Sequence, residues 1–395
     1  MIIKKLSAKF VLVLVAAVMS VTACKSMPEK MMGGGELAPW KGEWVTADAY
    51  NHDPSMEPVY TETAAMMPNY TTEGLKAAID EMYYTPIVKA KFDGSNTVMF
   101  TIVDGKGKEV ELKCTYMYKG KVEDKQYAGA MWDTFEAVKE VRGLESAKYM
   151  ILMPPHGHGD GPMHWHGRFG RRSIESLLDG TNWPTYYSAS MPKAAFLENT
   201  MGSIKMMPKF IQASPFADFS KHGKWMNSAA IYDNMSMEVQ AVYKKLIEEF
   251  KGKNPKGGDF TKEDIIAEMK KSYGSGEDFS ELEFITSKDK NEMVVYKNGK
   301  EIFRSSYKRV GASDSKPSLM AVAADKPNAG KFSLISFTGA HGNPLHIHLW
   351  YGADNAEMAA LKIVPTVIPS DTSNDKIALR VEASCRRMLT NLIGK

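Results

Sequence analysis

"KGEWVTADAY" at residues 41–50 returns as "HGKWMNSAAI" at residues 222–231, with Trp44 and Trp225 181 positions apart and Gly42 and Gly223 two residues before them. The same offset joins Met56 of "SMEPVY" to Met237 of "SMEVQAVY", and Pro184-Thr185 of "NWPTYY" to Pro365-Thr366 of "IVPTVI". Ungapped matches at both ends of so long a period describe a duplicated domain, each copy large enough to bury its own core. The repeat places one domain at residues 36–203 and a second at 222–393. Residues 204–221, with two prolines and no clear period, read as a linker or packed connector.

Each copy runs through the same order of patterns. A threonine that can cap a helix opens "TTEGLKAAIDEMYY" (71–84) and "TKEDIIAEMKKSY" (261–273). Two apolar alternations around a D-G or N-G turn follow, in "NTVMFTIVDGKGKEVELKCTYMY" (96–118) and "NEMVVYKNGKEIFRSSYKRV" (291–310). Those are hairpin signals. An amphipathic helix closes each unit. The predicted class is mainly β with flanking helices, a small barrel or sandwich in tandem.

The first 23 residues stand outside this pattern. Lys4, Lys5 and Lys9 lead into the apolar run "FVLVLVAAVM" and then "SVTAC", which reads as a secretory signal. "VTAC" resembles the lipobox of bacterial lipoproteins, which makes Cys24 the lipidation site of an exported lipoprotein. Its expected location is the periplasmic side of the outer membrane or the cell surface, with membrane contact through the lipid alone. Residues 24–35 are polar and glycine-rich and read as a flexible tether with a reach of about 20 Å. Without the signal, 47 basic residues face 47 acidic ones, with no basic stripe, which argues against nucleic acid as a partner. Cys114 and Cys385 are too far apart in sequence to announce a disulfide framework.

Seven of the nine histidines fall in two places: "HGHGDGPMHWH" (156–166) and "HGNPLHIH" (341–348). Strand side chains alternate between faces, so His164 and His166 share a face about 7 Å apart, as do His346 and His348. A Gly/Pro turn folds the strand back and brings a further histidine opposite each pair, at about 5 Å between Cβ atoms. Three imidazoles then converge, a favourable set for zinc that leaves a fourth position open. Counting from Lys148 and Lys331, His158 and His341 both lie ten residues on. The shared sets are thus His158, His164, His166 and His341, His346, His348, with His156 as a substitute for His158.

The W-x-G-x-W pattern of Trp40, Gly42 and Trp44, the hairpin around "FTIVDGKGKEVELKC", the "KYMILM" strand, the H-x-H pair and "NWPTYYSASM" together resemble the ZinT (YodA) family. The resemblance covers nearly all of the first copy and, more weakly, the second. It implies two tandem calycin, lipocalin-like barrels, each binding zinc through three histidines at the barrel mouth. It also implies a role in zinc uptake under scarcity, with a zinc ABC-importer binding protein as partner and cadmium or copper as other divalent candidates. The family's first histidine falls on Pro155, so either His156 or His158 could take its role. Three departures stand out. The family's histidine-rich N-terminal stretch is missing, Cys114 lacks a partner because Ala137 follows Phe135-Glu136, and Trp183 and Tyr186 become Val364 and Val367.

Two other classes compete. A lipocalin-like carrier of a small apolar ligand finds support in the G-x-W of each copy, a weak motif. A zinc hydrolase would need a positioned acid or base, and Asp160 is Asn343 in the other copy. Neither H-E-x-x-H nor G-x-S-x-G occurs, so the expected activity is binding, not catalysis. The 27 methionines fit core filling better than copper ligation.

Overall fold

A computed structural model of the protein describes residues 35–394, apart from 105, 126–128, 158–160, 181, 274–277, 288–289, 314–315, 327 and 362. The signal sequence and Cys24 lie outside the described residues.

The first eight strands are β1 (Gly42–Thr46), β2 (Ile87–Phe92), β3 (Thr97–Val103), β4 (Glu109–Glu123), β5 (Met131–Ala137), β6 (Tyr149–Leu152), β7 (His164–Gly170) and β8 (Thr185–Ser188). Each pairs antiparallel with the next, and β8 returns to β1 through Trp44↔Ser188 and Thr46↔Tyr186, closing a barrel. The second copy repeats the arrangement with β9 (Lys224–Asn227), β10 (Glu281–Ser287), β11 (Lys290–Lys297), β12 (Lys300–Ser313), β13 (Lys316–Ala324), β14 (Leu334–Phe337), β15 (Ile347–Gly352) and β16 (Thr366–Pro369). Here β9 pairs with both β10 and β16 to close the ring. The fold is thus two closed eight-stranded antiparallel barrels with flanking helices, the class the sequence predicts.

The local chemistry of the hairpins matches their sequences. Between β3 and β4, the Asp104 carboxylate accepts from the N–H groups of Lys106 (2.8 Å) and Lys108 (2.9 Å). Between β11 and β12, Asn298 (φ 52°) and Gly299 (φ 76°) form the left-handed pair that an Asn-Gly turn needs to match strand twist. In β4, Cys114 and Tyr116 are buried while Lys113, Thr115 and Met117 are exposed, so period-two alternation decides which side chains enter the barrel.

Both lumens are filled. Trp44, Phe92, Phe100, Tyr116, Trp165 and Tyr186 occupy the first, contributed by different strands. Trp225, Phe284, Val295, Phe337, Leu349 and Val367 are prominent in the second. Phe216 and Phe219 belong to the second core as well, so the stretch expected to connect the copies is in part a plug for that barrel. At the other end of that stretch, the helix Lys193–Met206 runs past the expected boundary at 203.

Helices cover the outside. In the first copy, Leu177 and Leu178 of the helix Ile174–Leu178 pack with Trp132 of β5 and Ile151 of β6. In the second, the helices Met237–Glu249, Lys262–Tyr273 and Asn374–Ile393 share one apolar layer that includes Leu246, Ile265 and Val381. By compactness, one unit holds the described residues up to Val59 and Ile79–Lys205, and the other holds Tyr60–Ala78 and the residues from Met206 onward. Within that second unit Thr71 donates its N–H to the Arg309 carbonyl (3.0 Å), and Arg309 donates to the Asn69 carbonyl (2.9 Å).

Candidate metal-binding sites

Strand β7 sorts its side chains by parity. Trp165 is fully buried in the lumen, stacked on Tyr186 at 4.1 Å between ring centroids. His164 and His166 therefore point to the outer face. β15 does the same, with Ile347 and Leu349 in the second core and His348 outward. The sites thus lie on the outer face of the wall, at the end of the strand, not among the lumen side chains.

A third histidine is delivered by a turn that doubles back. His156 and His164 exchange both backbone hydrogen bonds, at 2.8 and 2.9 Å, and His341 and His346 exchange theirs at 3.0 and 2.9 Å. Residues paired this way across an antiparallel ladder point to the same side. The ring centroids of His156, His164 and His166 lie 4.5, 5.3 and 5.1 Å apart in pairs. The matching separations in His341, His346 and His348 are 4.4, 5.4 and 5.2 Å. In each trio the potential ligand nitrogens all fall within 4.8 Å of one another.

The register differs from the one obtained by counting from the lysines. His156 follows the end of β6 at Leu152 by four residues, and His341 follows the end of β14 at Phe337 by four. The lysines are not counterparts: Lys148 closes the 3-10 turn Glu145–Ala147, and the residue in that role in the second copy is Ser333, after Gly330–Phe332. The two-residue offset made His158 look equivalent to His341. His158 itself lies outside the described residues; the partner of His164 on the ladder is His156.

Every ring carries a partner on Nδ1. The Pro154 carbonyl lies 2.8 Å from that atom of His156 and the Pro162 carbonyl 3.0 Å from that of His164. Gly339 and Pro344 serve His341 (2.7 Å) and His346 (2.9 Å) in the same way. Thr185 Oγ1 lies 3.0 Å from Nδ1 of His166, and Thr366 Oγ1 2.9 Å from Nδ1 of His348. A carbonyl can only accept, so the neutral rings of His156, His164, His341 and His346 place the proton on Nδ1 and the lone pair on Nε2, which is the arrangement metal-ligating histidines use.

The surroundings of the two sets differ. Trp183 stands edge-on to His166 at 5.3 Å, and Tyr187 lies 5.5 Å from His164. Trp183 in turn stacks on Trp132 at 5.5 Å between centroids, the Arg168 guanidinium lies 4.9 Å from both rings, and Arg168 pairs with the fully buried Asp124 at 3.5 Å. The corresponding positions 181 residues on are Val364 and Ile368. In the second set His341 is exposed. Burial pushes the His348 imidazole down to about 4, with the cationic forms of His346 and His341 and the Arg380 guanidinium acting the same way. Burial also lowers His346, opposed by its bond to the Pro344 carbonyl.

Sequence reasoning missed Thr185 and Thr366 as site residues. The repeated Pro-Thr dipeptide was the signal, legible only as a marker of the duplication.

Among the described residues no helix is long and apolar enough to cross a membrane. No curated protein matches the chain. Among solved structures it is similar to the Zn(II)-bound ZinT-like domain of Streptococcus pneumoniae AdcA, with 24% identity over 44% of this chain and 94% of that one, at a TM-score of 0.32. It is also similar to Zn(II)-bound AdcA from the same organism, with 26% identity over 43% of this chain and 34% of that one, at a TM-score of 0.31. The family model described as ZinT (YodA) periplasmic lipocalin-like zinc-recruitment matches residues 27–202, the whole of the first barrel. Over those residues the chain matches the ZinT family.

Proposed function

We propose that the protein captures zinc outside the cytoplasm, with one three-histidine site on each barrel and zinc as cargo. What carries this reading is the recurrence of the same trio, with the same ladder bridge and the same Nδ1 partners, in both barrels. The family that the first barrel matches supports it from outside the site, being one of zinc recruitment. The Zn(II)-bound state of the AdcA structures is consistent with it.

The chemistry suits capture. Tetrahedral nitrogen ligands about 2.0–2.1 Å from zinc lie roughly 3.3 Å from one another, so small ring movements close the trio on an ion. Three neutral imidazoles leave the charge of the ion uncompensated and the fourth position open, so a receiving protein can enter by adding a ligand before the histidines let go. His164 is the buried member of its set and His156 and His166 are half-buried, which leaves a face for such an exchange. Attachment through Cys24, a place in zinc uptake and delivery to the binding protein of a zinc importer complete the proposal. Carriage of an apolar ligand inside a barrel fits poorly with lumens packed by aromatic side chains.

Zinc K-edge absorption of the loaded full chain tests the ligand chemistry. Imidazole scattering from three nitrogens at about 2.0–2.1 Å is expected, and its absence refutes the assignment. For the physiological role, deleting the protein from its host is expected to slow growth only when zinc is chelated; unchanged growth under chelation refutes a part in uptake.

A further inference from the structure

We infer that Thr185 is a positioning residue: its hydroxyl, committed to the Trp183 carbonyl, holds His166 in the tautomer that can take a metal. The inference rests on reading the trios as zinc sites.

Two of the three rings in each trio have no choice, because a carbonyl accepts and never donates. The third ring faces a hydroxyl, which can do either. If Thr185 donated to His166, Nδ1 would hold the lone pair and the proton would move to Nε2, where it blocks the ligand position. Thr185 donates instead to the Trp183 carbonyl at 3.0 Å, which uses its single proton and leaves it only the accepting role toward His166. Thr185 is 5% exposed, so water does not readily replace either bond.

Trp183 is well placed to hold this relay still. Its N–H donates to the Met82 carbonyl at 2.6 Å, and its indole stacks on Trp132 at 5.5 Å and over Arg168 at 4.9 Å. The second barrel keeps the threonine but not the relay. Val364 replaces Trp183, and among the described residues Thr366 has no corresponding bond to the Val364 carbonyl. His166 is therefore set before metal arrives, whereas Thr366 is free to donate to or accept from His348.

The test is long-range 15N–1H spectroscopy of the metal-free full chain at about pH 8, above the ordinary imidazole pKa of about 6.5. Wild-type His166 is expected as the Nδ1–H tautomer; Nε2–H there overturns the inference without any variant. In Thr185→Val a mixture of tautomers is expected, with zinc affinity of the first site about 10–100-fold weaker, and Thr185→Ser is expected to restore both. Thr366→Val is expected to change the second site less. A Thr185→Val protein that keeps Nδ1–H and binds zinc within about twofold of wild type also overturns it. If the wild type takes up no zinc at all, the zinc reading fails, while the tautomer comparison still decides the part of Thr185.

Discussion

His348 has its imidazole held at about 4, chiefly by burial, while its unfolded value is the ordinary 6.5. Between those two values the unfolded chain binds a proton that the folded chain does not. The contribution to stability is complete above pH 6.5 and is lost as pH falls toward 4. In the metal-free protein the His348 ring resonances should therefore titrate near 4; a midpoint near 6.5 contradicts the burial argument. For the same reason, protons compete with metal at this ring only below the range where an exposed histidine yields. At this scale much was legible from spacing alone: strand parity puts His164 with His166 and His346 with His348. That His156 is the ladder partner of His164 was not, because it depends on where a short 3-10 turn ends, and lysine positions do not report that. Thr185 was invisible as a site residue because its role comes from β7↔β8 pairing, which no local pattern encodes.

The turn between the bridging histidines spans seven residues in the first copy and four in the second, Gly342–Leu345. Gly342 has φ +83°, and a Cβ there would run into Cε1 of His346. Gly342→Ala should weaken zinc binding at the second site by at least about tenfold while leaving the first unchanged, as read by competition with a chromophoric chelator. A second-site affinity unchanged from wild type in the variant would show that the turn does not hold the ring. Strand β7 offers a second element-scale test, because Arg168 lies on the same face as His164 and His166 and meets Asp124 in the dry layer outside the barrel. Asp124→Ala leaves a buried guanidinium uncompensated and should cost about 3–5 kcal/mol in urea unfolding. A loss within about 0.5 kcal/mol would mean the charge finds another partner. The hairpins around D-G and N-G were readable because turn chemistry and alternation agree. The first strand of each barrel, in "GEWVT" and "KWMN", is short, and only its distant pairings with the second strand and the eighth make it part of the wall.

For the whole molecule, the duplication was legible in the 181-residue offset, but the division of the chain was not. Tyr60–Ala78 belongs by sequence to the first copy and by compactness to the unit that holds the second barrel. There Tyr70 donates its hydroxyl to the Gln212 carbonyl (2.9 Å), Asn69 donates its amide to Ala213 (2.8 Å), and Thr71 bonds Arg309. A fragment starting at Met206 lacks all three and should melt below the second unit of the full chain by intrinsic fluorescence; an identical melting temperature would show that the segment adds nothing. Each site should therefore be probed in the intact protein. Native mass spectrometry of the zinc-loaded full chain measures the central claim directly. Two zinc ions are expected for the wild type, one for His164→Ala, one for His346→Ala and none for the double variant. A double variant that still carries two ions contradicts the account.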